Sequence, residues 1–251
     1  MIKDSKGFIW VGTIDGLNRY DGYQFHVYHT NYLDTTSLSE NFITSLHESA
    51  GGDIWVGTRN GINLYNPATD GFRRFQYSAT RKESIPDNYI RDIFEDEAGQ
   101  LWVATFKGIA RYDKASQCFR RVSLGEGIDS AQEASAFGAT EGGFWIELGS
   151  VLYRYRNGCF EHFSELAIPE SASDLYEDEA GKLWIGTPKG IFRFTPADKS
   201  LTRYHNGRSW DIYPMEGKVW FNLYLQGIHE WSPQQQAIIP VKTYLGGKEI
   251  T

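Results

Sequence analysis

Six tryptophans, Trp10, Trp55, Trp102, Trp145, Trp184 and Trp220, recur along the chain at spacings of 45, 47, 43, 39 and 36 residues. Each has a glycine three residues before it: Gly7, Gly52, Gly99, Gly142, Gly181 and Gly217. The first five are followed ten residues later by an aromatic (Tyr20, Tyr65, Tyr112, Tyr155 and Phe194), and in the sixth unit Trp231 arrives one residue late. The strongest echo is between "DEAGQLWVATFKGIARYD" from Asp96 and "DEAGKLWIGTPKGIFRFT" from Asp178. A repeat of this length marks a supersecondary unit that cannot bury its own faces and must stack on copies of itself.

Each unit reads as four short strands. In the third, "YIRDIFED" alternates, "EAGQ" turns, "LWVAT" is a second strand, "FKG" turns, "IARYD" is a third and "CFRRV" a fourth. The matching fourth strands are "FHVY", "FRRF", "CFEHF" and "LTRY". Gly, Asn, Asp and Pro stand where short hairpins need them, and no window keeps a helical period over twelve residues. With 15% aromatic residues, eight Trp and 26 Gly in 251 residues, the composition also favours strands and tight turns. The expected fold is all-β: a β-propeller of about six four-stranded antiparallel blades. No linker interrupts residues 1–251, so one repeat region without a second domain is expected. Aligning Asp4 with Asp96 removes nearly all of the innermost strand of the first unit, which reads as an arc, a segment of a larger propeller. A self-closed six-bladed ring is the alternative.

The remaining properties bound the function. A net charge of −7 repels phosphate backbones and argues against nucleic acid. No stretch approaches 18 consecutive apolar residues, and "MIKDSKGFIWVG" lacks the form of a signal peptide. Cys118 and Cys159 are too few for a disulfide framework or a metal quartet and read as half-buried strand thiols. The six histidines are scattered, with His26 and His162 on fourth strands. There is no nucleophile elbow, no zinc-protease helix and no phosphate-cradling glycine loop. No cofactor or metal is called for.

The units resemble the two-component regulator propeller repeat. "GFIWVGTIDGLNRYDGYQF", "GDIWVGTRNGINLYNPATDGF" and "GKLWIGTPKGIFRF" follow its pattern closely, and units four and six depart from it. The resemblance implies the periplasmic, non-catalytic ectodomain of a hybrid two-component histidine kinase that senses glycan fragments. It also implies a membrane reached only through flanking segments and a homodimer in the full receptor. Kinase activity would reside in parts outside this sequence.

A ligand would meet the face formed by the loops from fourth to next first strand together with the turns between second and third strands. Two of those loops are long, His29 to Asn41 and Gln76 to Asn88. They carry Tyr32, Asp34, Tyr77, Arg81 and Lys82, and the turns add Arg59, Asn60, Phe106 and Lys107. Rings beside amides and charges suit an oligosaccharide, whose faces stack and whose hydroxyls need partners. Solvated loop residues are the plainer reading. Asn41 and Asn88 share a setting and either face a channel ligand or fix a turn. Glu147 and Asn222 stand where other units have glycine, through drift in a structural repeat or through specialisation. A propeller glycosidase or polysaccharide lyase, and a plain interaction scaffold, are the competing functions.

Overall fold

The computed structural model describes residues 1–124, 132–163, 168, 170–215, 217–241, 243–245 and 248–250. No helix occurs among them, and six four-stranded sheets carry the fold. The sheets span residues 2–28, 43–75, 90–121, 134–163, 174–205 and 209–240. Every sheet runs in sequence order from first to fourth strand, and the described strand pairings within the sheets are antiparallel, as in the third sheet, where Trp102 lies opposite Phe94 on one side and Arg111 on the other. The first strand of sheet one is two residues, Ile2–Lys3, paired with Trp10 and Ile9. Beyond the sixth sheet, Thr243–Leu245 and Lys248–Ile250 pair as a short hairpin. The chain divides into two compact units, Met1–Phe137 and Gly138–Thr251, the division falling within the strand Ala134–Thr140.

Within each unit the landmark tryptophan of one sheet packs on the aromatic of the next. Trp10 meets Tyr65 at 5.0 Å between ring centroids, and Trp55 meets Tyr112 at 4.8 Å. In the second unit Trp145 meets Phe194 at 5.9 Å and Trp184 meets Trp231 at 5.0 Å. These edge-on and tilted pairs close the gap between consecutive sheets, which is why second strands such as Leu101–Thr105 and Leu183–Thr187 are buried along their whole length. The late arrival of Trp231 has a simple cause. The turn between Leu223 and Gly227 holds three residues, where Thr58 and Gly61 enclose two.

The other repeated positions are fasteners. Asp4, Asp96 and Asp178 each take the indole N–H of their own tryptophan, at 2.8, 2.8 and 3.0 Å, while their second oxygen accepts the backbone amides of the hairpin turn. Thr13, Thr58, Thr105 and Thr187 each donate to the carbonyl of the glycine three residues on, at 2.8–3.0 Å, closing the next turn. Gly12 admits the following sheet: a methyl group there would stand 2.5 Å from Ile43 Cγ2. Carboxylates at the ends of first strands reach back one sheet: Glu48 accepts the amide of Ser5, and Glu95 that of Ala50 at 2.6 Å. In unit four, where no such Asp precedes Trp145, Glu177 of the fifth sheet takes the indole N–H instead.

Asp92 and Asp174 form one further tether on the first strands. Asp92 accepts Phe137 N–H at 3.0 Å and Asp174 accepts Ile212 N–H at 2.8 Å. Burial pushes the Asp92 carboxyl up to about 6 from the usual 3.8. The folded chain therefore holds that proton more tightly than the unfolded chain. The cost of the ionised form is absent below about pH 4 and complete above about pH 6. Relative to Asp92→Asn, the wild-type chain is expected to lose roughly 2–3 kcal/mol between those limits. Denaturant unfolding of both proteins across that range checks it, and a pH-independent difference would contradict it.

Both cysteines are free, Cys118 half-buried and Cys159 exposed, so the second is more open than the sequence implied.

Candidate functional site

The hydrogen bonding places the two loop sets at one end of the first unit, as the sequence reading requires. The Gly16 amide donates to the Asn41 carbonyl at 2.8 Å, and the Gly61 amide to the Asn88 carbonyl at 2.7 Å. Asn88 joins three elements: its Oδ1 accepts the Tyr77 amide at 2.7 Å, and its Nδ2 donates to Asn60 Oδ1 at 3.0 Å. Asn41 does the same for the earlier loop, accepting the Thr30 amide at 2.8 Å and donating to Asp15 at 3.2 Å. Both asparagines thus anchor loops, the plainer of the two readings.

Around Asn60 and Asn88 the turns and the starts of the first strands bring rings and charges together. The Arg59 guanidinium lies 3.5 Å above the Phe42 ring and 5.7 Å from that of Tyr89. Tyr89 also packs on Phe106 at 5.7 Å, and Phe106 is 48% exposed. Lys107 pairs with Asp87 at 3.5 Å. Neither Phe42 nor Tyr89 was singled out from the sequence, because each opens a strand and reads there as core. The signal was the shared aromatic two residues after the acidic residues Glu40 and Asp87.

The long loops behave differently from their tips' composition. Arg74, on the fourth strand of sheet two, donates to the carbonyls of Asp34, Ser37 and Leu38 at 2.7–3.0 Å and to Ser37 Oγ. Arg121, on the fourth strand of sheet three, grips Ser78 O and Ser84 Oγ at 2.7 Å. Each loop is therefore laid along the outer strand of the following sheet. Tyr32, 90% exposed, and Asp34 ride on the first loop. The Asp34 carboxylate caps Thr36, whose hydroxyl and amide hold it below the usual range. Arg81 and Lys82 are exposed on the second loop. Tyr77 sits nearer the asparagines, with the Arg121 guanidinium 5.0 Å from its ring. The structure thus groups Arg59, Asn60, Tyr77, Asn88 and Lys107, and attaches Tyr32, Asp34, Arg81 and Lys82 to segments clamped on the outer strands.

In the second unit the corresponding end carries Arg208 over Trp210 at 4.9 Å and Tyr224 at 5.9 Å, with Trp210 46% and Tyr224 50% exposed. Lys189 pairs with Glu170 at 2.5 Å. Asn222 is exposed on the second strand of the sixth sheet. Glu147 is fully buried, and its carboxylate accepts the amides of Ser150 and Ala172. Ser150 and Gly149 form the turn with positive φ at both positions that replaces the missing glycine. Glu147 therefore fastens a turn and does not present its carboxylate to solvent. A cleft of about 590 Å³ between sheets five and six opens at the other end of the strands, lined by Tyr176, Glu179, Met215 and Lys218 among others.

Comparison with known proteins agrees with this geometry. The two component regulator propeller family matches residues 37–60, 84–107 and 168–189. A 37-residue stretch is 51% identical to part of Histidine kinase P4 of Formosa agariphila, covering 15% of this chain and 3% of that protein. The extracellular domain of a hybrid two component system of B. thetaiotaomicron superposes with a TM-score of 0.78 at 25% identity, over 93% of this chain and 33% of that one. Virginiamycin B lyase from Staphylococcus aureus shares the fold at a TM-score of 0.72 and 16% identity, over 97% of this chain and 84% of that one. This chain spans about a third of the extracellular domain it matches. Three matched segments show that this chain carries two component regulator propeller repeats, on an all-β fold of six four-stranded sheets that superposes on that extracellular domain.

Proposed function

We propose that the chain is a ligand-sensing, non-catalytic part of an extracytoplasmic signalling receptor, acting in the periplasm and binding an oligosaccharide. The observation that carries the reading is the cluster of partly exposed rings, Phe42, Tyr89 and Phe106, beside Asn60, Asn88 and Arg59 at the end where the turns converge. Sugar faces stack on such rings, and amides take the hydroxyls. The likeness to a sensor extracellular domain supports a role in signalling. Binding would favour one arrangement of a receptor homodimer, and segments outside this chain would carry the signal across the membrane.

The test is a screen of the purified chain against plant and host oligosaccharides. At least one is expected to bind, and Tyr89→Ala with Phe106→Ala is expected to weaken it at least roughly tenfold, the loss of one or two ring contacts. Binding insensitive to both changes would contradict the site. Cleavage of the bound glycan, abolished by changing one carboxylate at the same end, would move the assignment to a lyase or glycosidase.

A further inference from the structure

We infer that the ligand carries an anionic group, a carboxylate, sulfate ester or phosphate ester, taken by Arg59 in the first unit or by Arg208 in the second; this rests on the sensing reading and narrows it. Eight arginines lie against aromatic rings: Arg19, Arg59, Arg73, Arg121, Arg154, Arg193, Arg203 and Arg208. Six of them have protein acceptors. Arg19, Arg154 and Arg193 pair with Asp70, Glu161 and Asp178 at 3.2, 2.6 and 2.6 Å. Arg73, Arg121 and Arg203 donate to Gln117, the Ser78 carbonyl and Asn206. Among the described residues Arg59 and Arg208 alone of this set have a stacked guanidinium with every N–H group unclaimed by protein. They stand at the same end of their sheets, each beside the start of a first strand.

Stacking fixes the plane of a guanidinium and leaves its edge to make two parallel N–H···O bonds to an oxyanion. The ordering cost of the side chain is already met in the free protein. Among the described residues no carboxylate lies within ion-pair distance of Arg59, and the acids of the neighbouring segments have other partners. Glu40 accepts the Phe42 amide at 2.9 Å. Asp87 accepts the Tyr89 amide at 2.9 Å and pairs with Lys107. Asp15 accepts from Asn41. Beside each guanidinium an exposed ring, Phe106 or Trp210 with Tyr224, offers a surface for the ligand's apolar body.

The test follows the side-chain Nε–Hε resonances of the whole chain during titration with digalacturonate, glucose 6-sulfate and glucose 6-phosphate, each against its neutral counterpart (digalacturonate dimethyl ester or glucose). At least one anionic probe is expected to shift the Arg59 or Arg208 resonance at millimolar concentration while its neutral counterpart does not. Arg59→Gln or Arg208→Gln should weaken that binding by about 10- to 100-fold, the effect of losing charge-assisted hydrogen bonds. Arg→Lys at the same site should not restore it. No shift with any anionic probe, or equal binding of charged and neutral probes, overturns the inference. A neutral oligosaccharide bound through Tyr89 and indifferent to both glutamine variants overturns it too, while leaving the sensing reading intact.

Discussion

Replacing Trp184 with alanine is expected to cost about 3–5 kcal/mol of folding stability, and replacing Trp220 less than about half of that. Trp184 is fully buried and touches Tyr204, Phe221 and Trp231, with the Arg193 guanidinium 4.7 Å from its ring. Its loss leaves a cavity between sheets five and six and removes the indole N–H from Asp178. Trp220 occupies the same place in its own sheet, but its ring is only half-buried, and Pro214 stands where Asp178 does, so its indole N–H has no acceptor. The two tryptophans share a place in their sheets and differ in burial, ring contacts and indole acceptor. Denaturant unfolding of both, followed by far-ultraviolet circular dichroism, checks the contrast. Equal losses would mean that the repeated tryptophan stabilises each sheet by itself, and not the stacking of one sheet on the next.

A second substitution probes the loops. Arg74→Ala is expected to cost about 2 kcal/mol, since the charged donor leaves several carbonyls without their partner. It should also open the segment from Asn31 to Leu38 to protease while the sheets stay intact. Arg74→Lys should not repair it, because an ammonium cannot span carbonyls spread over Asp34, Ser37 and Leu38. Limited proteolysis with mass mapping reads the result, and a cleavage pattern identical to that of the wild-type chain would contradict the clamp.

The fold was legible because its code is local and repeated. The Trp, the glycine before it and the aromatic after it sit at fixed offsets, and the sheets follow those offsets strand for strand. The clamps were not legible, although their signal was present. Arg74 and Arg121 stand 47 residues apart, as do Ser37 and Ser84, and Asn41 and Asn88. In "FRRF" and "CFRRV" they read as solvated charges on an edge strand, and only the tertiary path of the loops reveals their acceptors. Arg59 was singled out for its place on a turn, yet its partners Phe42 and Tyr89 lie on other segments, and stacking leaves no local mark. Glu147 shows the opposite failure. A carboxylate in place of glycine looks functional in sequence, while the fold uses it to hold the amides of Ser150 and Ala172.

The proposed ligand binds, unchanged, at the end of the sheets where Arg59, Asn60, Tyr89, Phe106 and Lys107 converge. Hydrogen–deuterium exchange with and without a saturating oligosaccharide tests it most directly, combined with mass analysis of the recovered ligand. Added protection is expected at residues 40–42, 59–61, 87–89 and 106–108, with the ligand recovered intact. Protection confined to the clamped loops around Tyr32 and Arg81, or a ligand recovered as fragments, would contradict it.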